Sequence, residues 1–300
     1  MSTVNSASFV SCIIACERCL RGNSLYFLLW DCLMYQRRHL RPYLSLIGAL
    51  LWVACMTRPD IMFYVSHLCC VMQAPTVEAL QSGLRLLGYL VATKHQGITF
   101  GGALSVPLGV AELPEHFAES RGLYGYSDSS WGKVAKPMGG YVVMLANGPV
   151  DWSARTMKVV ADSTCEAETA TASALTKAVK FVRRILSHVG CTVTGATHLL
   201  VDNSAMIQVV RKEGLTSRTR YFERCTLRVK DEWQKGVVEP VLVSTTDEVA
   251  DIFTKALDEE TFNRLRAILL NVSTTKVKRF GERAMKMLHK LNSIVRMYSD

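Results

Sequence analysis

The heptapeptide GYSDSSW at residues 125–131 begins within a short β-type run, residues 123–127, and places Asp128 at the end of that run. Two more β-type runs follow at residues 141–146 and 150–153, and Asn147-Gly148 between them favours a tight hairpin turn. Residues 163–189 then place apolar side chains at helical spacing. The pattern predicts three strands followed by one long helix.

Strand and helix patterns alternate after the long helix. Strands are predicted at residues 198–201 and 237–243, and helices at residues 204–212, 218–234 and 247–257. This order predicts the α/β (α+β) class, with a mixed five-stranded sheet flanked by helices and preceded by a small helical segment. Proline cannot donate to a strand ladder, so Pro240 predicts that the last strand lies at a sheet edge.

The amino-terminal third is dominated by helical patterns. Residues 43–93 predict three helices, with a break at Arg58-Pro59 and with Asp60 as the cap of the second helix. The stretch 101–120 contains Gly and Pro without periodicity and predicts a linker. We therefore divide the chain into an unassigned segment (1–42), helices (43–100), the linker (101–120), the α/β domain (121–257) and a basic amphipathic helical tail (258–300).

The composition excludes several classes of protein. Of the 300 residues, 49% are hydrophobic and 20% are charged, which excludes a wholly disordered chain. The most apolar stretch, residues 43–56, is too short to span a membrane, and no secretory pattern precedes it. We therefore expect an intracellular chain, cytoplasmic or nuclear, whose ten cysteines are free thiols. The formal charge of +9 favours a polyanionic partner such as nucleic acid.

Four acidic residues, Asp128, Glu168, Asp202 and Asp251, stand where a purely structural role explains them poorly. Asp128 and Asp202 each follow a predicted strand, and ligand sites in open sheets cluster outside strand ends. Asp202 could also act as a helix cap if it stood alone. Asp251 lies one turn into the last predicted helix, where a solvated surface acid is an equally good interpretation.

The two glutamates of STCEAE, residues 163–168, have different expected roles. Glu166 forms a capping box with Ser163 at the start of the long helix. Glu168 falls on the apolar stripe that continues through Leu175, so it should face the sheet. Burying an unpaired carboxylate is costly, and a metal ion would supply the missing charge. Together, the four carboxylates suit hard divalent cations, which prefer oxygen ligands.

At these residues the chain resembles the ribonuclease H domain of the Pol polyprotein of copia-type LTR retrotransposons. The resemblance covers about residues 43–257 and rests on the order and spacing of short blocks. The blocks are SLIGAL (45–50), TRPDI (57–61), GYSDSSW (125–131), STCEAE (163–168), VDNSA (201–205), SRTR (217–220) and ADIFTK (250–255). The resemblance implies a ribonuclease H-like fold preceded by the carboxy-terminal helices of a reverse transcriptase. No Tyr-x-Asp-Asp motif occurs, so it implies a fragment without the polymerase active site.

The resemblance also implies an activity and its residues. The activity is hydrolysis of the RNA strand of RNA·DNA hybrids, with two Mg²⁺ ions, or Mn²⁺ in their place. The implied catalytic and metal-binding residues are Asp128, Glu168, Asp202 and Asp251. The residues expected to bind backbone phosphates are Arg211, Lys212, Arg218, Arg220, Arg224, Arg228 and Lys230. The same basic run is equally well interpreted as a solvated helix face.

Departures from the family pattern leave a second function open. Cys165, Thr169 and residues 221–223 differ from the usual family residues. The alternative is therefore a catalytically degenerate, nucleic-acid-binding remnant of the same element. A strand-transfer integrase is disfavoured, because its glutamate follows both strand-end aspartates, whereas Glu168 lies between Asp128 and Asp202. The expected partners are an RNA·DNA hybrid and the rest of a Pol polyprotein, with no membrane.

Overall fold

The structure is a computed structural model that describes residues 41–105, 107–110, 117, 122–131, 137–157, 161–212 and 223–272. Several predictions fall outside these residues. They concern the amino-terminal segment up to residue 40, half of the linker, Arg218, Arg220 and the tail beyond residue 272. The division of the chain into domains stays a prediction.

The described residues form seven α-helices, five strands and three short 3₁₀ turns. The helices are α1 (Arg41–Met56), α2 (Met62–Cys70), α3 (Val77–Ala92), α4 (Thr164–His188), α5 (Ser204–Arg211), α6 (Glu223–Gln234) and α7 (Glu259–Leu270). The strands are β1 (Tyr124–Ser130), β2 (Met138–Leu145), β3 (Gly148–Thr156), β4 (Thr197–Val201) and β5 (Val238–Leu242). The three amino-terminal helices and the long helix are therefore confirmed.

Two expectations about the environment of the chain can be compared with the described residues. None of their helices combines the length and the apolar character needed to cross a bilayer. The cysteines among them, such as Cys55 and Cys165, are free thiols.

The five strands form one mixed sheet in the order β3-β2-β1-β4-β5. Strands β1, β2 and β3 are antiparallel neighbours, whereas β4 pairs in parallel with both β1 and β5. Strand β5 carries Pro240 and lies at the edge of the sheet, as predicted. Three antiparallel strands followed by two parallel strands, each reached through helices, form the ribonuclease H-like sheet expected from the sequence.

Helices cover both faces of this sheet. On one face, α4 buries its apolar stripe, which includes Leu175 and Val179, against β1 and β4. On the other face, α1, α2 and α7 share a second core with side chains such as Tyr126 of β1. The indole N–H of Trp152 on β3 donates to the carbonyl of Ala54 on α1 at 2.8 Å, which joins the amino-terminal helices to the sheet.

The β2–β3 hairpin turns one residue earlier than the sequence predicts. Leu145 pairs with Gly148, so Ala146 and Asn147 are the turn residues, with φ angles of 49° and 65°. Two positive φ angles are typical of the type I′ turn, which matches the twist of antiparallel strands. Gly148 belongs to β3 instead, where a Cβ would lie 2.5 Å from the Phe100 ring.

The segment predicted as a helix at residues 247–257 is not one. It forms two 3₁₀ turns, Thr245–Asp247 and Val249–Phe253. The second turn ends because the hydroxyl of Thr254 donates to Asp128 on β1, and Asp258 then caps the new helix α7. Tertiary contacts therefore override the local helical pattern.

Asp60 is half of a buried ion pair and not the predicted helix cap. It is completely buried, and its two oxygens accept from Nε and Nη2 of Arg58 at 2.9 and 2.7 Å. Tyr89 of α3 donates its hydroxyl to the same carboxylate at 2.6 Å and accepts from Arg266 of α7, also at 2.6 Å. The pair therefore connects the 3₁₀ turn after α1 to α3 and α7.

The Asp60→Asn variant should lower the free energy of unfolding by about 3 to 5 kcal/mol, because it leaves the Arg58 guanidinium buried without its counter-charge. Urea denaturation measures the loss. The control is Lys235→Gln, which breaks the exposed Lys235–Asp231 pair and should leave the free energy of unfolding nearly unchanged. Equal losses in the two variants would contradict this role of Asp60.

Candidate metal centre and nucleic-acid interface

Three carboxylates meet at one end of the sheet. Asp128 projects from β1, Asp202 directly follows β4, and Glu168 lies in the second turn of α4. One oxygen of each side chain lies within 4.8 Å of the other two. Strands β1 and β4 are parallel neighbours, so their ends bring the two aspartates to the same edge, where α4 begins. Three of the four predicted site residues are therefore adjacent.

Glu168 faces the sheet, and Ser129 of β1 holds it there. Its Oε1 accepts from the backbone amide and the hydroxyl of Ser129 at 3.2 and 3.0 Å. Its Oε2 is buried and has no hydrogen-bond partner among the described residues. Buried polar atoms are almost always satisfied, so this oxygen is available to a ligand of the site.

Glu166 has the local role that its position predicts. The hydroxyl of Ser163 accepts from the amide of Glu166 at 3.2 Å. Oε2 of Glu166 accepts from the amide of Asp162 at 2.9 Å, so the carboxylate caps the residue before Ser163. The two glutamates of the block thus have separate partners.

Asp251 lies beside this group but is not among the carboxylates that meet within 4.8 Å. Its Oδ1 accepts from Nζ of Lys255 at 2.7 Å. The same Nζ lies 3.4 Å from Oδ1 of Asp128, so one lysine bridges the two aspartates. Thr254 donates its hydroxyl to the other oxygen of Asp128.

Two glycines on β2 let the elements of the site approach from opposite faces. Gly140 pairs with Asp128, and a Cβ on it would lie 2.4 Å from Cβ of Phe253. A Cβ on Gly139 would lie 2.8 Å from Oγ1 of Thr171 on α4. A side chain at either position would therefore push the second 3₁₀ turn or α4 away from the carboxylates.

Burial and mutual repulsion raise the pKa values of the site carboxyls. Desolvation, together with the charges of Asp128 and Asp202, raises the pKa of Glu168 to about 9. Burial, with the charge of Asp128, raises the pKa of Asp251 to about 6, although Lys255 opposes this shift. Burial also raises the pKa of Asp202. Without a metal ion, the site therefore favours bound protons, which a cation would displace.

The residues present fit a hard divalent cation. Such ions take carboxylate oxygens, and Asp128, Glu168 and Asp202 offer them within 4.8 Å of one another. The one ion pair that the described residues form with this group is that of Lys255 with Asp128. The unpartnered Oε2 of Glu168 is the atom that most needs a cation.

Several site residues are missing from the sequence-based prediction. Ser129 and Thr254 orient the carboxylates, and Lys255 bridges two of them, although it stands inside the ADIFTK block. Glu248, in the loop before the second 3₁₀ turn, is fully buried, and burial raises its pKa well above the usual value. The adjacent glycines on β2 were the available sequence signal, since glycine inside a strand often marks close approach.

The predicted phosphate-binding residues at the end of α5 have partners of their own. Arg211 forms an exposed ion pair with Glu239 at 2.6 Å, which offsets part of its charge. Lys212 is exposed, and its carbonyl accepts from Nζ of Lys230 at 2.5 Å. These side chains remain candidates for contact with nucleic acid.

Arg224 and Arg228 line a groove of about 640 Å³ between α4 and α6. The other charged residues that line it are Lys177, Lys180, Arg184, Asp231 and Glu232. Arg228 donates to Oγ of Ser173 at 3.1 Å, only five residues beyond Glu168 on α4. The residues of α4 that line the groove begin at Lys177, about 13 to 14 Å along the helix from Glu168, and lead away from the site.

In sequence, the chain is similar to Pol polyproteins of plant transposons. It is 29% identical over 225 residues to the retrovirus-related Pol polyprotein from transposon RE1 of Arabidopsis thaliana, covering 73% of this chain and 14% of that protein. It is 25% identical over 236 residues to the Pol polyprotein from transposon TNT 1-94 of Nicotiana tabacum, covering 76% and 16%. The chain thus spans less than a fifth of the length of either relative.

Two further comparisons concern solved structures and protein-family models. A solved structure, RNase H1 from the archaeon Halobacterium salinarum, is 19% identical, with a TM-score of 0.33, covering 44% of this chain and 93% of that one. No protein-family model matches. The sequence relatives, the ordered motif blocks and the sheet topology agree: the homologues of this chain are retrovirus-related Pol polyproteins from transposons, and its sheet has the ribonuclease H-like strand order.

Proposed function

We propose that the chain hydrolyses the RNA strand of RNA·DNA hybrids. The observation that carries this proposal is the group of Asp128, Glu168 and Asp202 at one end of a ribonuclease H-like sheet, with a buried, unpartnered glutamate oxygen within it. The similarity to Pol polyproteins of transposons and the ribonuclease H-like sheet support the same activity. The missing Tyr-x-Asp-Asp motif argues that this fragment does not synthesise DNA.

In this proposal Asp128, Glu168, Asp202 and Asp251 hold two Mg²⁺ ions, or Mn²⁺ in their place. Such ions supply a water of lowered pKa and neutralise charge on the leaving oxygen. Ser129 and Thr254 keep the carboxylates oriented, as outer hydrogen-bond partners do in metal sites. The low exposure of Asp128 and Glu168, 2% and 4%, shields these ligands from bulk water.

The groove between α4 and α6 is the proposed contact for the hybrid backbone. Five of its charged residues are basic and two are acidic, and Glu232 is already paired with Lys180. Its exposed ring, Phe181, adds a surface on which an unpaired base could stack. Because the groove leads away from Glu168, a strand bound there would continue into the site.

Combined Lys177→Ala and Arg224→Ala substitutions should weaken hybrid binding about tenfold at low salt, because two phosphate contacts are lost. The slope of the logarithm of the binding constant against the logarithm of the salt concentration should fall in magnitude by about 2. Fluorescence anisotropy of a labelled hybrid between 50 and 200 mM salt, roughly the range over which such contacts weaken, measures both. Arg85→Ala is the control, since Arg85 lies on α3 at the opposite face. An unchanged slope in the double variant would remove the groove from the interface.

Substrate selectivity tests the proposed activity. The chain should cut the RNA strand of a hybrid and leave a DNA duplex of the same sequence intact. Binding of the hybrid without cutting would instead establish the alternative, a degenerate nucleic-acid-binding remnant, for which Cys165 and Thr169 are the motivating departures. We further propose that the chain works inside the cell, in cytoplasm or nucleus, with the rest of a Pol polyprotein as a partner.

A further inference from the structure

Lys255 lies between Asp128 and Asp251, on the side of the site formed by the second 3₁₀ turn. Its Nζ is 2.7 Å from Oδ1 of Asp251 and 3.4 Å from Oδ1 of Asp128. Its backbone amide also donates to the carbonyl of Asp251 at 3.0 Å, which fixes the lysine one turn beyond that residue. The local backbone therefore places Lys255 beside Asp251, and the side chain completes the two contacts.

Lys255 supplies a positive charge to the carboxylates of Asp128 and Asp251. Its ammonium group lies within 3.4 Å of one oxygen of each carboxylate, so it offers both aspartates a positive charge at ion-pair distance. Glu168, at the other half of the site, has no such counter-ion among the described residues.

We propose that Lys255 is an internal counter-ion that competes with a divalent cation for Asp128 and Asp251, and thereby sets the metal affinity of the site. The inference rests on the proposed function. The lysine side chain is 36% exposed, whereas that of Asp128 is 2% exposed, so the ammonium has a path to solvent when a cation replaces it. A flexible four-carbon stem allows this movement without any change in the backbone.

Isothermal titration of the full chain with Mn²⁺ tests the proposal. The Lys255→Gln variant should bind Mn²⁺ about tenfold more tightly than the wild type, because a unit charge about 3 Å from a ligand oxygen is removed. Lys255→Arg keeps the charge and should stay within about threefold of the wild type. Lys235→Gln is the matched control: it breaks another lysine–aspartate pair of four-residue spacing, at 2.5 Å, which is exposed and remote from the carboxylates.

Thermal unfolding provides the second readout. In EDTA the Lys255→Gln variant should melt below the wild type, because the carboxylates lose their counter-ion, and saturating Mn²⁺ should raise its Tm by more than it raises that of the wild type. Lys255→Met, which keeps the apolar stem, serves if the Gln variant does not fold.

The outcomes separate the two proposals. Unchanged or weaker Mn²⁺ binding by Lys255→Gln or Lys255→Met, with wild-type binding intact, would overturn the role of Lys255 and leave the nuclease proposal standing. Failure of the wild type itself to bind Mn²⁺ would overturn the metal centre, and the inference with it.

Discussion

Asp128→Asn should reduce hybrid cleavage by at least about a thousandfold while leaving hybrid binding nearly unchanged. Asp128 is central to the site, because it groups with Glu168 and Asp202 and also contacts Lys255. An amide has nearly the same size and can still accept from the hydroxyl of Thr254, so the fold should persist. Single-turnover cleavage and fluorescence anisotropy measure the two effects separately.

Asp151→Asn is the control for this prediction. Asp151 lies on β3 of the same sheet, opposite Val143, and belongs to no carboxylate group among the described residues. Its substitution should leave turnover within about threefold of the wild type. Wild-type-like turnover by Asp128→Asn, purified in parallel, would rule out the assignment of the site.

The second large expected effect is a loss of hybrid cleavage that distinguishes Glu168 from Glu166 in the STCEAE block. Positions two apart on a helix differ by about 200° around its axis, so only one can face the carboxylates. Burial does not separate them, since Glu166 and Glu168 are 8% and 4% exposed, but their partners do. Glu168→Gln should lose at least about a hundredfold in cleavage, whereas Glu166→Gln should stay within about threefold, because glutamine can still cap Asp162.

Glu168→Gln should also stabilise the metal-free protein. The pKa of Glu168 is raised from 4.5 to about 9 on folding, so the folded state holds this proton more tightly than the unfolded state. Folding stability is therefore lost as pH rises through this window, and glutamine, which cannot ionise, avoids the loss.

Urea unfolding in EDTA at about pH 8 should show a gain of about 1 to 3 kcal/mol for Glu168→Gln, shrinking below about pH 5. Glu166→Gln should show no such gain. If instead Glu166 proves essential for cleavage and Glu168 dispensable, the orientation of α4 relative to the site is wrong.

The order of strands and helices was predictable because it depends on local periodicity. The apolar stripe of α4 placed Glu168 on the sheet face, and Pro240 placed β5 at the edge; both follow from the residue itself and its near neighbours. The meeting of Asp128 with Asp202 follows from parallel strand ends once the sheet order is known.

The remaining features depend on contacts between distant residues. The bond from Thr254 to Asp128 joins residues 126 positions apart, and it ends the turn that the local pattern extends as a helix. The Arg58–Asp60 pair is local, but its burial is set by Tyr89 and α7, so a cap was the better inference from sequence. The bridge of Lys255 to Asp128 has the same long-range origin.

Cleavage of an RNA·DNA hybrid by the purified full chain tests the central claim most directly. The protein should be made in a host without its own ribonuclease H activity, and the hybrid should carry separate labels on its two strands. We expect the RNA strand to be cut in Mg²⁺, the DNA strand to stay intact, and both EDTA and Asp128→Asn to abolish the reaction. An intact RNA strand, under conditions in which the chain binds both the hybrid and Mn²⁺, would contradict the proposed activity.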